Sequence, residues 1–423
     1  MPAFLNFIKS WSVARRRWTV AIFTLVVFLP AVWIGCWMGT MFVQADTESY
    51  LAMAQGEPAM MPFAARQLGP MLARVVAHLF HRPAESAFFD LGLAYLLVFL
   101  ATTAWLLVRS GAPRWMIWAL AGLMFWGFQF NSLVMPDLLY AALLCAFLLL
   151  LRQGWVMAAC LMMFPMMLSR ESTLLTLVCF LIAGWRRLRK AEVVAAVVAT
   201  GSALVVVQRL AANALPNKEH ISGIVYLVAK IPWNFMRNVL GIGMWANLYP
   251  SCDVPKWQTA VHLGPLRAIG TCGFYPGLPP QGFAVGMAMF GLLPLLVWTL
   301  RKQALQTGGR EDLMLRFALL YGTVSFLMAP LLGEAFPRLY GYGWPLLLVA
   351  LPILLGRSGS NFTSAWAAAA FVGLHWFLAW ALVWAFPKPL FAVAAVSWVL
   401  GAILLRTTFR VKDELRADSF GAG

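Results

Sequence analysis

The feature that most constrains this chain is a series of uninterrupted apolar runs. Trp18 to Thr40 and Ala191 to Ala214 are two of them, and each exceeds the length of about 20 residues that a transmembrane helix needs. The pattern extends along most of the 423 residues, of which 62% are hydrophobic and 11% are charged. A β-barrel would instead alternate apolar and polar residues in short segments. We therefore predict an all-α, polytopic membrane protein, with one integral-membrane domain over 1–423.

Twelve apolar segments are predicted to span the membrane. Their approximate bounds are 18–41, 86–108, 115–131, 137–151, 154–168, 172–185, 191–213, 282–300, 317–333, 339–356, 362–386 and 389–405. The first is too long for the apolar region of a signal peptide, so we expect a retained helix. Segments 137–151, 154–168 and 172–185 are too short to cross a bilayer unaided. Either they surround a cavity on the outer side, or two ordinary helices have been divided at the wrong places.

The distribution of Lys and Arg predicts the orientation in the membrane. With the N-terminus in the cytoplasm, 20 of the 32 Lys and Arg residues fall on the cytoplasmic side. Cytoplasmic loops usually carry this excess. Both termini are therefore predicted to be cytoplasmic.

Two long extracytoplasmic loops follow from this topology. The first, 44–85, contains an amphipathic segment from Arg66 to Arg82 that is expected to lie in the membrane interface as a juxtamembrane helix. The second, 215–281, is the longest polar stretch. It contains Cys252 and Cys272, which are expected either to form a disulfide or to be two free thiols.

Charged residues that adjoin the spans gather on the outer side, although they come from four regions of the sequence. They are Asp46, Glu48, Arg66, Asp137, Arg170, Glu171, Glu334 and Arg338. Charges beside spans are costly and often functional. One carboxylate of the pair Asp46 and Glu48 could act as a general base while the other contacts a substrate hydroxyl or a metal ion. The alternative is that both carboxylates are simply solvated.

Three of these residues, Arg66, Arg170 and Arg338, are candidates for binding a phosphate, because a guanidinium group matches phosphoryl oxygens. The alternative is internal pairing, of Arg170 with Glu171 or Asp137 and of Arg338 with Glu334. Both arrangements are compatible with the sequence.

Other chemistries lack sequence support. The five histidines are scattered, with no HExxH motif or paired CxxC motifs for zinc, and no Walker A motif for ATP. The formal net charge of +16 is spread over many short loops, which favours membrane topology over nucleic-acid binding.

The first loop resembles a known family. Asp46-x-x-x-Tyr50, Pro62-Phe-x-x-Arg66 and the juxtamembrane helix, with Pro136-Asp137, Arg170-Glu171 and Arg338 further on, resemble the GT-C superfamily of integral-membrane glycosyltransferases, in particular its bacterial members. Such enzymes typically use a polyprenyl-phosphate sugar as donor, with an acidic residue of the first external loop as base or acceptor contact.

The resemblance implies a site for this chain. Asp46 and Glu48 are the expected catalytic residues, and the expected substrate-binding residues are Tyr50, Arg66, Gln67, Asp137, Arg170, Glu171, Glu334 and Arg338. Many members of the family have adjacent acidic residues, whereas Thr47 separates them here, so we assign no metal ligand and no definite cofactor. A reaction assisted by a divalent metal stays an alternative.

The resulting hypothesis is a glycosyltransferase in the bacterial cytoplasmic (inner) membrane that moves a sugar from a polyprenyl-phosphate donor to an extracytoplasmic acceptor in the cell envelope. Its expected partners are that donor, the acceptor and membrane lipids, with no nucleic acid. One alternative is a transporter or flippase of lipid-linked glycans, which needs polar residues in mid-membrane and commonly internal repeats. Another is a noncatalytic membrane subunit of an envelope-glycan complex.

Overall fold

The structure is a computed structural model. It describes residues 45–61, 63–110, 135–215, 231–232, 234–246, 260–261, 269–274, 293–305, 312–332 and 336–357, with the single positions 279, 286, 290 and 399. The predicted spans 18–41, 115–131 and 362–386 lie outside these residues, as does 389–405 apart from position 399.

The first loop is largely helical. Helix α1 is Ala45–Gln55, a short 3-10 helix covers Phe63–Ala65, and α2 is Leu68–Phe80. The small buried residues of α2 face α1 and the next helix, α3, which is Ala84–Arg109. The large apolar residues of α2 that are exposed are Met71, Val75, Leu79 and Phe80. This is the surface that a helix in the membrane interface turns towards lipid.

The middle of the chain forms four further helices. They are α4 (Pro136–Arg152), α5 (Val156–Ser169), α6 (Thr173–Ala183) and α7 (Lys190–Leu210). A turn that includes Gly154 at φ 78° separates α4 from α5, a backbone angle that favours glycine. The predicted divisions near 153 and 170 are therefore correct, and α4, α5 and α6 are separate short helices.

A small antiparallel sheet lies within the predicted loop 215–281. Its strands are β1 (Ile242–Ala246), β2 (Ala260–Val261) and β3 (Ile269–Phe274), in the order β1-β3-β2. The register shifts between Gly243 and Met244. The expectation of an all-α chain did not include this sheet, although helices dominate the described residues.

The C-terminal part of the described chain contains three helices, α8 (Leu293–Leu305), α9 (Leu313–Leu332) and α10 (Phe336–Arg357). Helices α9 and α10 pack closely where two glycines meet. A Cβ atom at Gly343 would lie 2.7 Å from the Ser325 Cβ, and one at Gly322 would lie 3.1 Å from the Gly343 carbonyl oxygen. Small residues permit such close helix contacts in membrane proteins.

A π-helical turn at Phe235–Val239, within the large loop, packs against the end of α9. The side-chain amides of Asn234 and Asn238 donate hydrogen bonds to the carbonyl oxygens of Leu331, at 3.3 Å, and Pro330, at 2.7 Å. Carbonyl groups in the last turn of a helix have no partner within the helix. The two asparagines satisfy two of them and fix this part of the loop against α9.

Three helices of the described residues, α3, α7 and α9, are long and apolar enough to cross a membrane. Helices α2, α5 and α6 are apolar but shorter. The structure thus has the helices expected of an integral membrane protein, and the count of twelve spans stays a prediction.

Aromatic contacts connect the helices in the core. Phe99 of α3 meets Trp344 of α10 edge to face, with ring centroids 6.1 Å apart. Phe147 of α4 lies between Phe180 of α6, at 5.5 Å, and Phe317 of α9, at 5.1 Å. Edge-to-face pairs add to the stabilisation that burial provides. The core thus joins α3, α4, α6, α9 and α10.

One end of the bundle is defined by Asp137, Arg170 and Tyr342, and we call it the polar end. Asp137 lies in the first turn of α4, Arg170 follows α5, and Tyr342 lies in the second turn of α10. A backbone bridge joins Met60 of the first loop to Leu215, just after α7. The first loop therefore lies at this end.

The other end is defined by Arg109, Arg152 and Arg357, and we call it the basic end. The Arg152 Nη2 donates to the carbonyl oxygen of Arg109 at 3.1 Å, which places the last residues of α3 and α4 side by side. Arg357, at the end of α10, pairs with Asp312, just before α9. Because α4 runs from Asp137 to Arg152, the two ends are opposite.

Candidate functional site

Asp137 is the centre of the first polar group. It is fully buried in the first turn of α4, where the helix dipole stabilises a negative charge. The Arg170 Nη1 and the Tyr342 hydroxyl both donate hydrogen bonds to its Oδ1. The Arg170 guanidinium also lies over the Tyr342 ring, 5.4 Å from the centroid. One carboxylate thus connects α4, the α5–α6 connection and α10.

Arg66 is the centre of the second group. Its Nε and Nη2 donate to Glu171 Oε2 and Oε1 at 2.9 and 2.5 Å, a two-pronged arrangement that only arginine provides. Its Nη1 donates to the Tyr50 hydroxyl at 2.7 Å. Tyr50 is fully buried, whereas the Glu171 side chain is 36% exposed. The group connects α1 and the 3-10 helix to the α5–α6 connection.

Electrostatics couple the two groups. Burial disfavours the charged form of Glu171, but Arg66 and then Arg170 outweigh burial and hold the pKa of this carboxyl well below its usual range. Burial raises the pKa of Tyr50, with Arg66 and then Arg170 opposing the shift in part. Both arginines thus act on both residues. The two groups form one network of two cations and two carboxylates, which we call the double ion pair.

The structure selects among the pairings that the sequence left open. Arg170 binds Asp137, one of its two expected partners. Glu171, the other expected partner, binds Arg66 instead, over a separation of 105 residues. Internal pairing is therefore observed for both arginines.

The acidic pair of the first loop lies on α1 rather than in an irregular segment. Asp46 is half-buried and Glu48 is exposed, both in the first turn. Residues two apart on a helix face different directions, whereas residues four apart share a face. Asp46 therefore lies on the face of the buried Tyr50, one turn away, and Glu48 does not. Of the two carboxylates, Asp46 is better placed to act with the double ion pair.

Gln67 has a local structural contact. Its side-chain amide donates to the carbonyl oxygen of Ala64 at 2.7 Å and lies 3.7 Å from the sulfur of Met53. These contacts brace the 3-10 helix against α1 next to Arg66. The expectation that Gln67 binds substrate stays a prediction.

Several predicted residues are described in part or not at all. Arg338 lies in the first turn of α10, one turn before Tyr342, and only its backbone is described. Cys272 lies in β3, where again only the backbone is described, and Glu334 and Cys252 lie outside the described residues. The disulfide and the pairing of Arg338 with Glu334 stay predictions.

Sequence reasoning missed Tyr342. It is buried and donates to Asp137, and its ring also meets that of Tyr140 edge to face at 4.9 Å. In the sequence it stands in an apolar span with no charge beside it, so only its position four residues after Arg338 could have identified it. Its role depends on a contact with α4 across 205 residues.

Within the residues that the structure describes, no three His, Cys, Asp or Glu side chains form a group that could hold a metal ion. Comparison with protein-family models, with curated proteins and with solved structures finds no match to this chain. The fold and site therefore define a class only: the described residues form a mainly helical bundle, with three helices of membrane-spanning length and a double ion pair, buried except at Glu171, at one end.

Proposed function

We propose that this protein is a membrane glycosyltransferase that uses a polyprenyl-phosphate sugar and acts at the polar end of the bundle. The observation that carries the proposal is the double ion pair of Arg66, Asp137, Arg170 and Glu171, to which Tyr50 is hydrogen-bonded through Arg66. Tyr50 lies one helical turn from Asp46 on α1. Burying charges is costly. Proteins accept such a cost most often at functional sites.

In the proposed reaction, the Asp46 carboxylate takes the proton of an acceptor hydroxyl. The hydroxyl oxygen attacks the anomeric carbon of the donor sugar. The bond from that carbon to the phosphate oxygen breaks, and its electron pair leaves with the polyprenyl phosphate. A general base typically contributes about 10²–10⁴-fold to such a rate.

The leaving phosphate needs a cation beyond the double ion pair. The charges of Arg66 and Arg170 are balanced by those of Glu171 and Asp137, and all three guanidinium nitrogens of Arg66 already donate to protein groups. We assign the phosphate contact to Arg338, since position 338 lies one turn from Tyr342 at the same end of α10. In this assignment, Arg66 and Arg170 position the site.

The proposed orientation puts the polar end outside the cytoplasm. Among the described residues, the basic end carries Arg109, Arg152 and Arg357, as well as the basic residues of 186–190, which extend from the α6–α7 connection to the start of α7. An excess of Lys and Arg marks the cytoplasmic side of membrane proteins. The proposal therefore keeps a bacterial inner-membrane location, with both termini in the cytoplasm.

The transporter alternative has one observation in its favour. The hydroxyl of Tyr140 contacts Thr176 Oγ1 at 2.7 Å and the Tyr321 hydroxyl at 3.1 Å, in the interior of the bundle. However, Tyr140 is only three residues beyond Asp137, which is about 4.5 Å along a helix axis. This polar cluster extends the site by one turn and does not form a path through the bundle, so the enzyme is the better proposal.

The test is sugar transfer from polyprenyl-phosphate donors by the purified protein, with Asp46→Asn as the variant. Asparagine is nearly isosteric but cannot accept the proton, so turnover should fall about 10²–10⁴-fold while the variant remains folded, as followed by thermal unfolding. Glu48→Gln is the matched control, because Glu48 faces away from Tyr50, and it should lose much less.

Wild-type turnover by the Asp46→Asn variant would contradict the role of this carboxylate. No transfer by the wild-type protein, with a panel of polyprenyl-phosphate sugars and acceptors, would favour the transporter or the noncatalytic subunit instead.

A further inference from the structure

A cavity at the basic end is distinct from the proposed site. It has a volume of about 260 Å³ and is lined by Arg109, Leu149, Arg152 and Gln153. It lies where α3 and α4 end, so the full length of α4 separates it from Asp137. Its volume is far more than a single water molecule needs.

Local contacts orient the two arginines of the cavity. The Arg152 Nη2 donates to the main-chain carbonyl of Arg109 at 3.1 Å, which fixes one edge of its guanidinium group. The Arg109 guanidinium lies over the ring of Trp105, one turn earlier on α3, 5.2 Å from the centroid. When a guanidinium group stacks on an aromatic ring, its N–H groups point outward in the plane parallel to the ring, where they can still donate hydrogen bonds to a ligand. Both cations are thus held in place at one cavity.

The two positive charges at this cavity face the partial negative charge of the helix ends, but no carboxylate among the described residues. No carboxylate of the described residues forms an ion pair with Arg109 or Arg152, whereas the described arginines Arg66, Arg82, Arg170 and Arg357 each have one. Two like charges at one cavity repel each other. An anion bound between them would replace this repulsion by two attractions.

The surroundings indicate which anion. The cavity is at the end of a helix long and apolar enough to span a membrane, and Trp105 is an aromatic residue of the kind that lies at head-group level. Leu149 supplies an apolar wall, and Val108, which precedes Arg109 in α3, is exposed. Basic pockets between helices on the cytoplasmic side of membrane proteins bind anionic lipid head groups.

We infer that the cavity between the ends of α3 and α4 is a binding site for the phosphate of an anionic phospholipid, held by Arg109 and Arg152. This site does not depend on the proposed enzymatic function. Bound lipid would stabilise the contact between α3 and α4 and hold the basic end at the membrane surface.

The experiment is native mass spectrometry of the full-length protein in a neutral detergent, with equal amounts of phosphatidylglycerol and phosphatidylcholine. We expect the wild-type protein to retain phosphatidylglycerol preferentially. Arg109→Gln and Arg152→Gln should each lower this retention by about tenfold or more, as expected for the loss of a charge-assisted hydrogen bond. Arg152→Lys should retain part of the preference because it keeps the charge but not the planar fork.

Lys190→Gln is the matched control. Lys190 is an exposed cation at the basic end, at the start of α7 and outside the cavity, so its loss should not change lipid retention. Equal retention of the two lipids by the wild-type protein would overturn the inference. So would an unchanged preference in both glutamine variants, or an equal loss in Lys190→Gln.

A further arm distinguishes lipid from free phosphate. Inorganic phosphate is titrated against the protein without lipid and followed by the thermal unfolding temperature. Stabilisation by phosphatidylglycerol but not by millimolar phosphate supports the lipid site. Stabilisation by phosphate alone, lost in Arg109→Gln, would replace the lipid by a soluble phosphate ligand and overturn the lipid assignment.

Discussion

Arg66 and Glu171 are 105 residues apart in the sequence, and two parallel hydrogen bonds of 2.9 and 2.5 Å join them in the structure. Arg66 is almost completely buried, while the Glu171 side chain is 36% exposed. The pair closes the first loop onto the α5–α6 connection. Its removal should therefore affect both the stability of the loop and the proposed site.

The first prediction concerns Glu171→Gln. The variant leaves the buried Arg66 without a carboxylate partner. At pH 7 its free energy of unfolding should therefore be about 1–3 kcal/mol lower than that of the wild type. Asp90→Asn is the control. Asp90 pairs with Arg82, but both side chains are about half exposed, so its loss should cost less than about 1 kcal/mol.

The same pair predicts a pH dependence. The pKa of Glu171 is lower in the folded protein, so its contribution to stability is complete above the pKa of an unfolded glutamate, about 4.3. The contribution is lost as the pH falls from there through the folded pKa. The stability difference between wild type and Glu171→Gln should thus be constant near neutral pH and shrink below about pH 4.3. A difference that grew on acidification would show that Glu171 is not held as a carboxylate.

The second prediction concerns Tyr342→Phe. The variant keeps the ring beneath Arg170 but removes the hydroxyl that donates to Asp137, so it should lower the free energy of unfolding by about 1.5–3 kcal/mol. Tyr95→Phe is the matched control, because the buried Tyr95 hydroxyl makes no hydrogen bond among the described residues. Chemical unfolding in detergent compares the two. Equal effects would mean that the Tyr342 hydroxyl contributes nothing specific.

The third prediction concerns Arg338. If Arg338 holds the donor phosphate, Arg338→Ala should lower kcat/KM for the donor by an amount equivalent to about 1.5–3 kcal/mol. Arg338→Lys should restore only part of the lost kcat/KM, because lysine lacks the planar fork. Kinetics with varied donor concentration measure the effect. If kcat/KM of the Arg338→Ala variant equals that of the wild type, Arg338 does not bind the donor phosphate and has a structural role only.

The fourth prediction concerns the contact between α9 and α10. A methyl group at Gly343 would meet Ser325 Cβ at 2.7 Å and Phe290 Cζ at 3.1 Å, so Gly343→Ala should destabilise the protein by about 1–3 kcal/mol. Gly201→Ala in α7 is the control. A Cβ atom there meets nothing within 4 Å, so alanine should stabilise this helix by up to about 1 kcal/mol. Thermal unfolding of both variants is the measurement. If both are destabilised, the cost comes from replacing a helical glycine in general and not from crowding between α9 and α10.

The fifth prediction concerns orientation. A reporter enzyme fused after Pro255, in the large loop, should be active outside the cytoplasm, and one fused after Gly308, between α8 and α9, should be active in the cytoplasm. The reverse result would place the double ion pair on the cytoplasmic side and exclude an extracytoplasmic acceptor.

Apolar run length and local turn signals made much of the helical framework predictable. The spans 86–108, 191–213 and 317–333 correspond to α3, α7 and α9, the three helices long and apolar enough for a membrane. The separate short helices α4, α5 and α6 correspond to the predicted segments 137–151, 154–168 and 172–185, for which the sequence also left a wrong division of two longer helices open. These signals act within a few residues and need no tertiary contact.

Tertiary contacts account for what the sequence did not reveal. Ala45–Gln55 mixes polar and apolar residues and looks like a loop, yet it forms α1 because Tyr50, Met53 and Ala54 are buried against the first-loop core. The charged residues of the double ion pair stood out individually in the sequence, because charges are scarce in this chain. The pair Arg170–Asp137 was one of two alternatives from the sequence. The contacts Arg66–Glu171 and Tyr342–Asp137 were not foreseen, since they depend on how distant helices pack.

The shortness of α5 and α6 has a consequence for the surrounding lipid. At 14 and 11 residues, these helices are about 21 and 16 Å long, against a hydrocarbon layer of about 30 Å. Leu174, Val178 and Ile182 line an exposed side of α6, so lipid chains meet this short wall directly. Such hydrophobic mismatch thins the adjacent bilayer. If the protein spans a membrane as proposed, the head groups of the leaflet beside α6 therefore lie closer to the level of the polar end, where the α5–α6 connection carries Arg170 and Glu171.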